Sequence, residues 1–186
     1  MKKELYFVGL FILAIWLIWL VDFVIPAELN GWGVHPRSLT GLVGIPLMPF
    51  LHEGFFHIFG NTISLGILMF LLVGLQRQHW AIMAAIVLLD GAMVWLIGGS
   101  GTNHVGASGL VFGLIGFLIL NGFLEKRVVS IGVALLVGFL FGGTLVSGII
   151  PKIGGQISWE AHLFGVVAGA GVAYFLSEKN KFMAWR

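Results

Sequence analysis

The residues of this sequence that could do chemistry centre on one serine, Ser108, which lies in a glycine-rich run at residues 105–109. The run opens an apolar segment, and a histidine, His162, lies in the last apolar segment of the chain. An imidazole within about 2.6–3.2 Å of a serine oxygen can take its proton and make the oxygen a nucleophile. The two residues therefore predict nucleophilic catalysis, with Ser108 as the nucleophile and His162 as its general base.

Two more polar residues could stabilise the negatively charged oxygen that forms when a serine attacks a carbonyl group. His57 and Asn61 are four positions apart, so on one helix they share a face. Both side chains can donate hydrogen bonds to an oxyanion. The backbone N–H of Ser108 can add a third donor, because the first N–H groups of a helix have no partner within it. The alternative for His57 and Asn61 is structural hydrogen bonding between helices.

Glycines explain how a serine and a histidine on separate helices could meet. Gly109 and Gly113 share one face of the segment that begins near the serine, and Gly165 and Gly169 share the face of the histidine. Membrane helices with small residues at this spacing pack closely against each other. Packing is also the alternative role for Ser108 itself, because the chain has 28 glycines and small residues are common where membrane helices touch.

The composition requires lipid as the solvent. Hydrophobic residues make up 59% of the 186 residues and charged residues only 10%, with a mean hydropathy of +1.03. A water-soluble domain is nearer half apolar and a quarter charged. The expected partner is therefore the lipid bilayer. No block of basic residues indicates nucleic-acid binding, and the absence of cysteine excludes thiol and disulfide chemistry.

Six apolar segments are long enough to cross a bilayer, which takes a helix of about 20 residues. They are residues 5–25, 55–75, 80–98, 105–123, 128–150 and 161–176. A long outer loop at 27–51 contains Pro36, Pro46 and Pro49, which prevent one continuous helix. We therefore expect an all-α, polytopic membrane protein. Its bundle of six transmembrane helices forms a single membrane-embedded domain over residues 1–186.

Lysine and arginine fix the expected orientation. With six spans, one side of the membrane holds eight of the 10 basic residues, and the other side holds only Arg37 and Lys152. Basic residues favour the cytoplasmic side of a membrane. We therefore expect a multi-pass protein of the cell membrane with both termini in the cytoplasm.

The same orientation places the polar residues at one depth. Ser108 lies 17 residues from Glu125 at the inner end of its span, and His162 lies 16 residues from Glu178. At a rise of about 1.5 Å per residue, both lie about 24–25 Å above the inner edge. In a hydrocarbon layer of about 30 Å they lie roughly 5 Å below the outer surface. Asn61 shares that depth by the same count, so we expect a site that opens to the outer side.

Three motifs closely resemble those of the rhomboid family of intramembrane serine proteases. They are His52-x-x-x-x-His57-x-x-x-Asn61, Gly106-Ala107-Ser108-Gly109 and Ala161-His162-x-x-Gly165-x-x-x-Gly169, in the family's order on its second, fourth and sixth spans. The resemblance runs from about residue 36 to residue 174 and fits the minimal six-span bacterial type. One departure is that Trp32 and Arg37 are separated, whereas some members carry adjacent Trp-Arg in the first loop.

The resemblance implies that Ser108 is the nucleophile and His162 the general base, without a third acid, and that His57 and Asn61 help to build the oxyanion hole. The implied function is an intramembrane serine endopeptidase that cleaves single-pass membrane proteins near the outer face through an acyl-enzyme. Such hydrolysis needs no cofactor. The alternatives are a catalytically inactive rhomboid-like protein that binds membrane helices and, with less support, a small proton-coupled transporter.

The remaining polar residues favour structural roles. Asp90 lies about 12 Å below the outer end of its span, where it either orients a partner by hydrogen bonding or is protonated. Glu160 faces away from the catalytic histidine on a helix, so a surface role is expected. His35, His52 and His104 lie in or beside outer loops. The chain lacks the His-Glu-x-x-His spacing of a zinc protease, and no metal site is predicted.

Overall fold

The computed structural model describes residues 2–25, 28–151 and 158–184, the side chains of 180–184 excepted. Lys152, one of the two basic residues counted on the outer side, lies outside this description. In these ranges the chain forms α1 (Lys2–Val24), α2 (Gly41–Leu47), α3 (Phe55–Leu75), α4 (His79–Ile97), α5 (Ser108–Glu125), α6 (Val128–Ile149) and α7 (Trp159–Ala184). Two short 3-10 helices, Leu29–Trp32 and Met48–Phe50, lie between α1 and α3.

The regular secondary structure of the described residues is helical. Six helices, α1 and α3 to α7, contain an apolar stretch long enough to cross a bilayer. The shortest of them, α5, has 18 residues and therefore spans about 27 Å, close to the thickness of a hydrocarbon core. Outside the helices, the described residues contain one isolated antiparallel bridge, between Val34 and His104, and no strand. The prediction of an all-α, six-helix membrane bundle is confirmed.

Helix α5 lies at the centre of the bundle. In its apolar stretch 67% of the residues are buried, against 11% in α1 and 22% in α6. A helix that is apolar on all sides must be surrounded by protein or by lipid. The helices at the periphery of the bundle leave side chains exposed to lipid, such as Leu135 and Phe139 of α6. Helix α5, in contrast, is covered by its neighbours. Ser108, the first residue of α5, is thus carried by the most enclosed helix.

The connection between α1 and α3 packs against α4. A Cβ at Gly91 of α4 would come within 2.6 Å of an isoleucine side chain of α2. Arg37 has a φ of 60°, and its guanidinium donates to the carbonyls of Leu96 (3.2 Å) and Gly98 (2.8 Å). Carbonyls at the end of a helix lack a partner within it. Arg37 therefore caps α4 and fixes the loop to it, a role that does not need Trp32 beside it.

A second set of hydrogen bonds fixes the opposite end of α5. The carboxylate of Glu125, the last residue of α5, accepts from the Gln76 amide (2.7 Å) and from the Ser130 hydroxyl (2.5 Å). Gln76 follows α3 and Ser130 lies in the first turn of α6. The central helix is therefore tied to two neighbours at the end away from Ser108.

Candidate active site

A cavity of about 630 Å³ lies at the end of the bundle where α5 begins. Its walls come from α3, α5, α6 and α7 and from the loops at their ends. Four polar residues singled out in the sequence all line it: Ser108, His162, His57 and Asn61. The fold thus brings together residues from three different membrane helices around one space.

The turn before the serine is held in place by residues of the first loop and of α3. Gly106 has a φ of +115°, which favours glycine, and a Cβ there would lie 2.6 Å from the His57 ring. Its N–H donates to the Met48 carbonyl (2.9 Å). The N–H of Ala107 donates to Nε2 of His52 (3.3 Å). Glycine is therefore required at position 106 both by the backbone and by the space, and α5 begins two residues later.

Helix α5 supplies backbone donors beside the Ser108 hydroxyl. At its start, the N–H of Val111 binds the Ala107 carbonyl (2.9 Å). The N–H groups of Ser108 and Gly109 come before it and have no helical carbonyl to bind. The positive end of the helix dipole lies at the same place. An oxyanion formed at Ser108 would therefore lie where negative charge is favoured.

His162 is held on two sides. Its Nδ1 lies 3.0 Å from the carbonyl oxygen of Gly148 in α6, and because a carbonyl only accepts, Nδ1 carries the proton. Its ring stacks on Phe112, with 4.1 Å between ring centroids and 4° between the planes. Phe112 comes four residues after Ser108, so the stack brings the imidazole to the face of α5 that carries the serine. A neutral imidazole in this tautomer has its lone pair on Nε2, as a general base requires.

Gly148 and Phe112 are residues of the site that sequence reasoning missed. A Cβ at Gly148 would collide with the Phe112 ring, so glycine allows the backbone of α6 to reach the imidazole. For Phe112 a signal existed, namely its place one turn after Ser108. For Gly148 there was none, because α6 contains other glycines, such as Gly138 and Gly142, that have open space around them.

Helices α5 and α7 touch through their backbones. A Cβ at Gly165 would collide with the carbonyl oxygen of Gly109, and one at Gly169 with that of Gly113. These are the four glycines to which the sequence analysis assigned helix packing, and they lie at the crossing of the two helices. His162 is one turn before Gly165, so this contact sets how closely the imidazole approaches α5.

His57 and Asn61 face the cavity from α3. The His57 ring packs against Gly106, and the Asn61 amide donates to Nε2 of His52 (3.0 Å). An asparagine amide carries two N–H bonds, so one remains after the bond to His52. Both residues therefore lie beside the turn before Ser108 as well as in the wall of the cavity.

His52 is a buried support of the site. It is 2% exposed, and its Nε2 accepts from both Asn61 and the Ala107 N–H, so its proton is on Nδ1. Burial, together with the neighbouring His57, lowers the pKa of His52 to about 4. The sequence analysis placed this residue in or beside an outer loop. In the structure it accepts the hydrogen bond that holds the turn before Ser108.

Asp90 lies behind α5, the helix that begins at Ser108. It is fully buried in α4, and a Cβ at Gly109 would collide with its Oδ2. Neither carboxyl oxygen has a hydrogen-bond partner among the described residues. The expectation that Asp90 orients a partner by hydrogen bonding is therefore not met. A buried charge without a partner is costly, which leaves the protonated carboxyl, the other alternative drawn from the sequence.

Glu160 at the start of α7 and the loop residues His104 and His35 are more involved in the fold than the sequence indicated. Glu160, expected to have a surface role, accepts from the Gly99 N–H (3.0 Å) and so joins α7 to the loop after α4. His104 is buried. His35 binds the Gly31 carbonyl (3.0 Å). Among the described residues, no three His, Cys, Asp or Glu side chains are placed so as to hold a metal ion.

Comparison with known proteins agrees with this architecture. The family model described as the Rhomboid domain matches residues 39–179. The uncharacterized protein Rv1337 of Mycobacterium tuberculosis is 40% identical over 180 residues, which cover 92% of this chain and 74% of the relative. The uncharacterized protein ML1171 of Mycobacterium leprae is 36% identical over 180 residues, covering 92% and 70% of the two chains.

The chain belongs to the rhomboid family. The family consists in general of serine proteases that act within membranes, and it includes inactive members. The match and the six apolar helices together establish a multi-pass membrane protein with a rhomboid domain.

Proposed function

We propose that this protein is an intramembrane serine endopeptidase that cleaves single-pass membrane proteins near the outer face of the membrane. The observation that carries the proposal is that Ser108 and His162 line one cavity while the Nδ1 proton of His162 is committed to the Gly148 carbonyl. Nε2 is then the ring nitrogen that carries the lone pair, which a base needs in order to take the hydroxyl proton of Ser108. Membership of the rhomboid family supports the same reaction class.

The reaction follows the order that this arrangement allows. His162 takes the hydroxyl proton of Ser108 through Nε2 while the serine oxygen attacks the peptide carbonyl carbon. The Ser108 N–H and the side chains of His57 and Asn61 donate hydrogen bonds to the oxyanion. His162 then gives the proton to the leaving amine, and the C–N bond breaks to leave an acyl-enzyme. Water, deprotonated by the same imidazole, attacks the ester and releases the acid and the serine.

The pair works without a third acid in this proposal. In a serine triad, a carboxylate holds the histidine in the correct tautomer and orientation. Here the Gly148 carbonyl fixes the tautomer of His162, and the Phe112 ring fixes the plane of its imidazole. A neutral carbonyl stabilises an imidazolium less than a carboxylate does, so we expect a slower enzyme than one with a complete triad.

The cavity suggests how a substrate arrives. Its walls include Phe56 and Gly60 of α3 on one side and Thr144 and Ser147 of α6 on the other. These two helices are the second and fifth spans. A transmembrane segment moving between them would bring a carbonyl to Ser108 once its helix is locally unwound.

The orientation is part of the proposal. The eight basic residues assigned to one side of the membrane support a cell-membrane protein with both termini in the cytoplasm. The cavity then opens to the outer side, where water for deacylation is available.

A fluorophosphonate probe tests the proposal, because it reacts with an activated serine. We expect the purified protein to be labelled, and the label to be lost in Ser108→Ala and in His162→Ala. Ser64, which also lines the cavity, offers a matched control, and Ser64→Ala should label as the wild type does. Absence of Ser108-dependent labelling would contradict the proposal and favour an inactive helix-binding protein or a transporter.

A further inference from the structure

His104 occupies a place that connects the nucleophile's loop to the general base's helix. It lies four residues before Ser108 and is 3% exposed. Its backbone pairs in both directions with Val34, at 2.9 and 3.0 Å. The main chain at position 104 is therefore fixed to the first loop, and its side chain is held in one place.

The imidazole of His104 contacts the start of α7. Its Nδ1 is hydrogen-bonded to the hydroxyl of Ser158, the residue just before the helix. The Ser158 oxygen accepts from the N–H of Ala161 (3.3 Å), three residues later, which is the geometry of an N-cap. The Ser158 carbonyl also accepts from the N–H of His162 (3.2 Å). Through Ser158, His104 holds the helical turn that carries the general base.

The directions of these hydrogen bonds follow from one another. The Thr102 hydroxyl donates to the Gly99 carbonyl (2.6 Å), so its oxygen must accept from Nε2 of His104 (2.7 Å). With its proton on Nε2, neutral His104 has its lone pair on Nδ1 and accepts from the Ser158 hydroxyl. That hydroxyl then accepts from Ala161. With His104 neutral, each donor in this series of hydrogen bonds from Gly99 to α7 has an acceptor.

We propose that His104 is a positioning residue: by accepting the hydrogen bond of Ser158 it fixes the first turn of α7, and hence His162, relative to the loop that delivers Ser108. This inference rests on the proposed function, because it assigns a task within the same site. His104 touches neither a substrate nor the reacting atoms in this account. A displacement of about 1 Å in a catalytic pair costs on the order of 100-fold in rate, so a fixed first turn matters.

The surroundings of His104 favour its neutral form. Burial lowers its pKa, while the carboxylate of Glu160, 3.7 Å from Nε2, raises it and the nearby His35 lowers it. Glu160 is also occupied by the Gly99 N–H. Protonation of Nδ1 would reverse this hydrogen bond: the Ser158 oxygen would accept from the ring, and the Ser158 hydroxyl proton would lose its acceptor.

Three substitutions of His104 separate positioning from general stability. His104→Asn offers an amide oxygen near the position of Nδ1 and keeps an acceptor for Ser158. His104→Gln keeps a donor near the position of Nε2 for Thr102 but no acceptor for Ser158. His104→Phe fills the space and loses both bonds. The measured quantity is the fluorophosphonate labelling rate of Ser108 at saturating probe.

We expect labelling to be about tenfold slower or more in His104→Phe and His104→Gln, and close to wild type in His104→Asn. Ser158→Ala removes the same bond from the side of α7 and should match His104→Phe, which keeps the test decisive if a His104 variant does not fold. Equal labelling rates in the wild type, His104→Phe and Ser158→Ala would overturn the positioning role. So would equal losses in His104→Asn and His104→Phe.

Hydrogen exchange distinguishes failure of this inference from failure of the proposed function. If the wild type is not labelled, the proposed function fails, and the same variants are then compared by the exchange rates of the Ala161 and His162 amides. Faster exchange at these amides in His104→Phe, restored in His104→Asn, supports the positioning role. Unchanged exchange in His104→Phe refutes it, whatever the labelling shows.

Discussion

Replacing Gly165 with alanine should separate α5 from α7 and slow the chemistry at Ser108. A Cβ at Gly165 would collide with the carbonyl oxygen of Gly109 and lie 3.1 Å from its carbonyl carbon. Ordinary contact of a Cβ begins at 3.4 Å. Because the obstructing atoms belong to a helix backbone and cannot rotate away, the two helices must move apart by about 1 Å. A movement of this size in a positioned pair costs about 100-fold in rate.

The same change should also lower stability. Adding a methyl group to a packed interface costs roughly 1–3 kcal/mol. Gly171 on the same helix provides the matched control, because a Cβ there has nothing within 4 Å. Gly171→Ala should therefore leave the helix crossing unchanged and, as a glycine-to-alanine change within a helix, favour folding by about 0.5–1 kcal/mol.

The assay compares fluorophosphonate labelling rates of the wild type, Gly165→Ala and Gly171→Ala, with thermal unfolding recorded for each. Labelling is measured well below the lowest unfolding temperature, so that loss of folded protein does not contribute. We expect a loss of about 100-fold in Gly165→Ala and none in Gly171→Ala. Wild-type labelling in Gly165→Ala would refute the reasoning that backbone contact between α5 and α7 sets the geometry of the pair.

Three further outcomes are expected. Asp90→Asn should keep the labelling rate within about twofold and should not lower the unfolding temperature. The reason is that asparagine replaces a buried carboxyl that has no partner with a neutral group of the same shape. A loss of activity would mean that Asp90 takes part in the chemistry. His52 has a folded pKa of about 4 against 6.5 for an ordinary histidine, so stability is complete above pH 6.5 and is lost as the pH falls from 6.5 toward 4. Unfolding temperatures measured across that range should fall more steeply in the wild type than in His52→Asn, and parallel curves would contradict the role of neutral His52. Substrates with Gly or Pro near the cut should be cleaved faster than versions with leucine there, because these residues weaken helix hydrogen bonding; equal cleavage rates would mean that local unwinding does not limit the reaction.

The architecture was predictable because lipid imposes simple rules on length and composition. An apolar stretch of about 20 residues is a membrane helix almost regardless of its details, so six stretches predict six spans. Polar residues at one depth were equally visible, because helix rise converts a residue count into a height. Ser108 and His162 stand out in such segments, where a polar group is costly and usually has a purpose.

The support of the site was not predictable, because it depends on contacts between distant parts of the chain. Gly148 resembles the other glycines of α6 in sequence, and only its neighbours Phe112 and His162 distinguish it. His104 is a polar residue in a loop, which on its own indicates exposure, yet the fold buries it between Val34 and Ser158. Burial of this kind is decided by tertiary packing, which periodicity and composition do not record.

Asp90 is a residue whose role the sequence left open. Its sequence context gave two alternatives, a hydrogen-bonded partner or a neutral carboxyl, and nothing local could choose between them. The choice depends on which atoms of other helices lie near its oxygens. The structure places the backbone of Gly109 there, with no donor for either oxygen among the described residues.

Cleavage of a membrane-spanning substrate in reconstituted liposomes tests the central claim most directly. The protein is combined with a single-pass test substrate, and the products are identified by mass spectrometry for the wild type and for Ser108→Ala. We predict a single cut in the part of the substrate segment near the outer face, with no product from Ser108→Ala. An intact substrate with the wild type across a panel of such segments, or cleavage that continues in Ser108→Ala, would contradict the account.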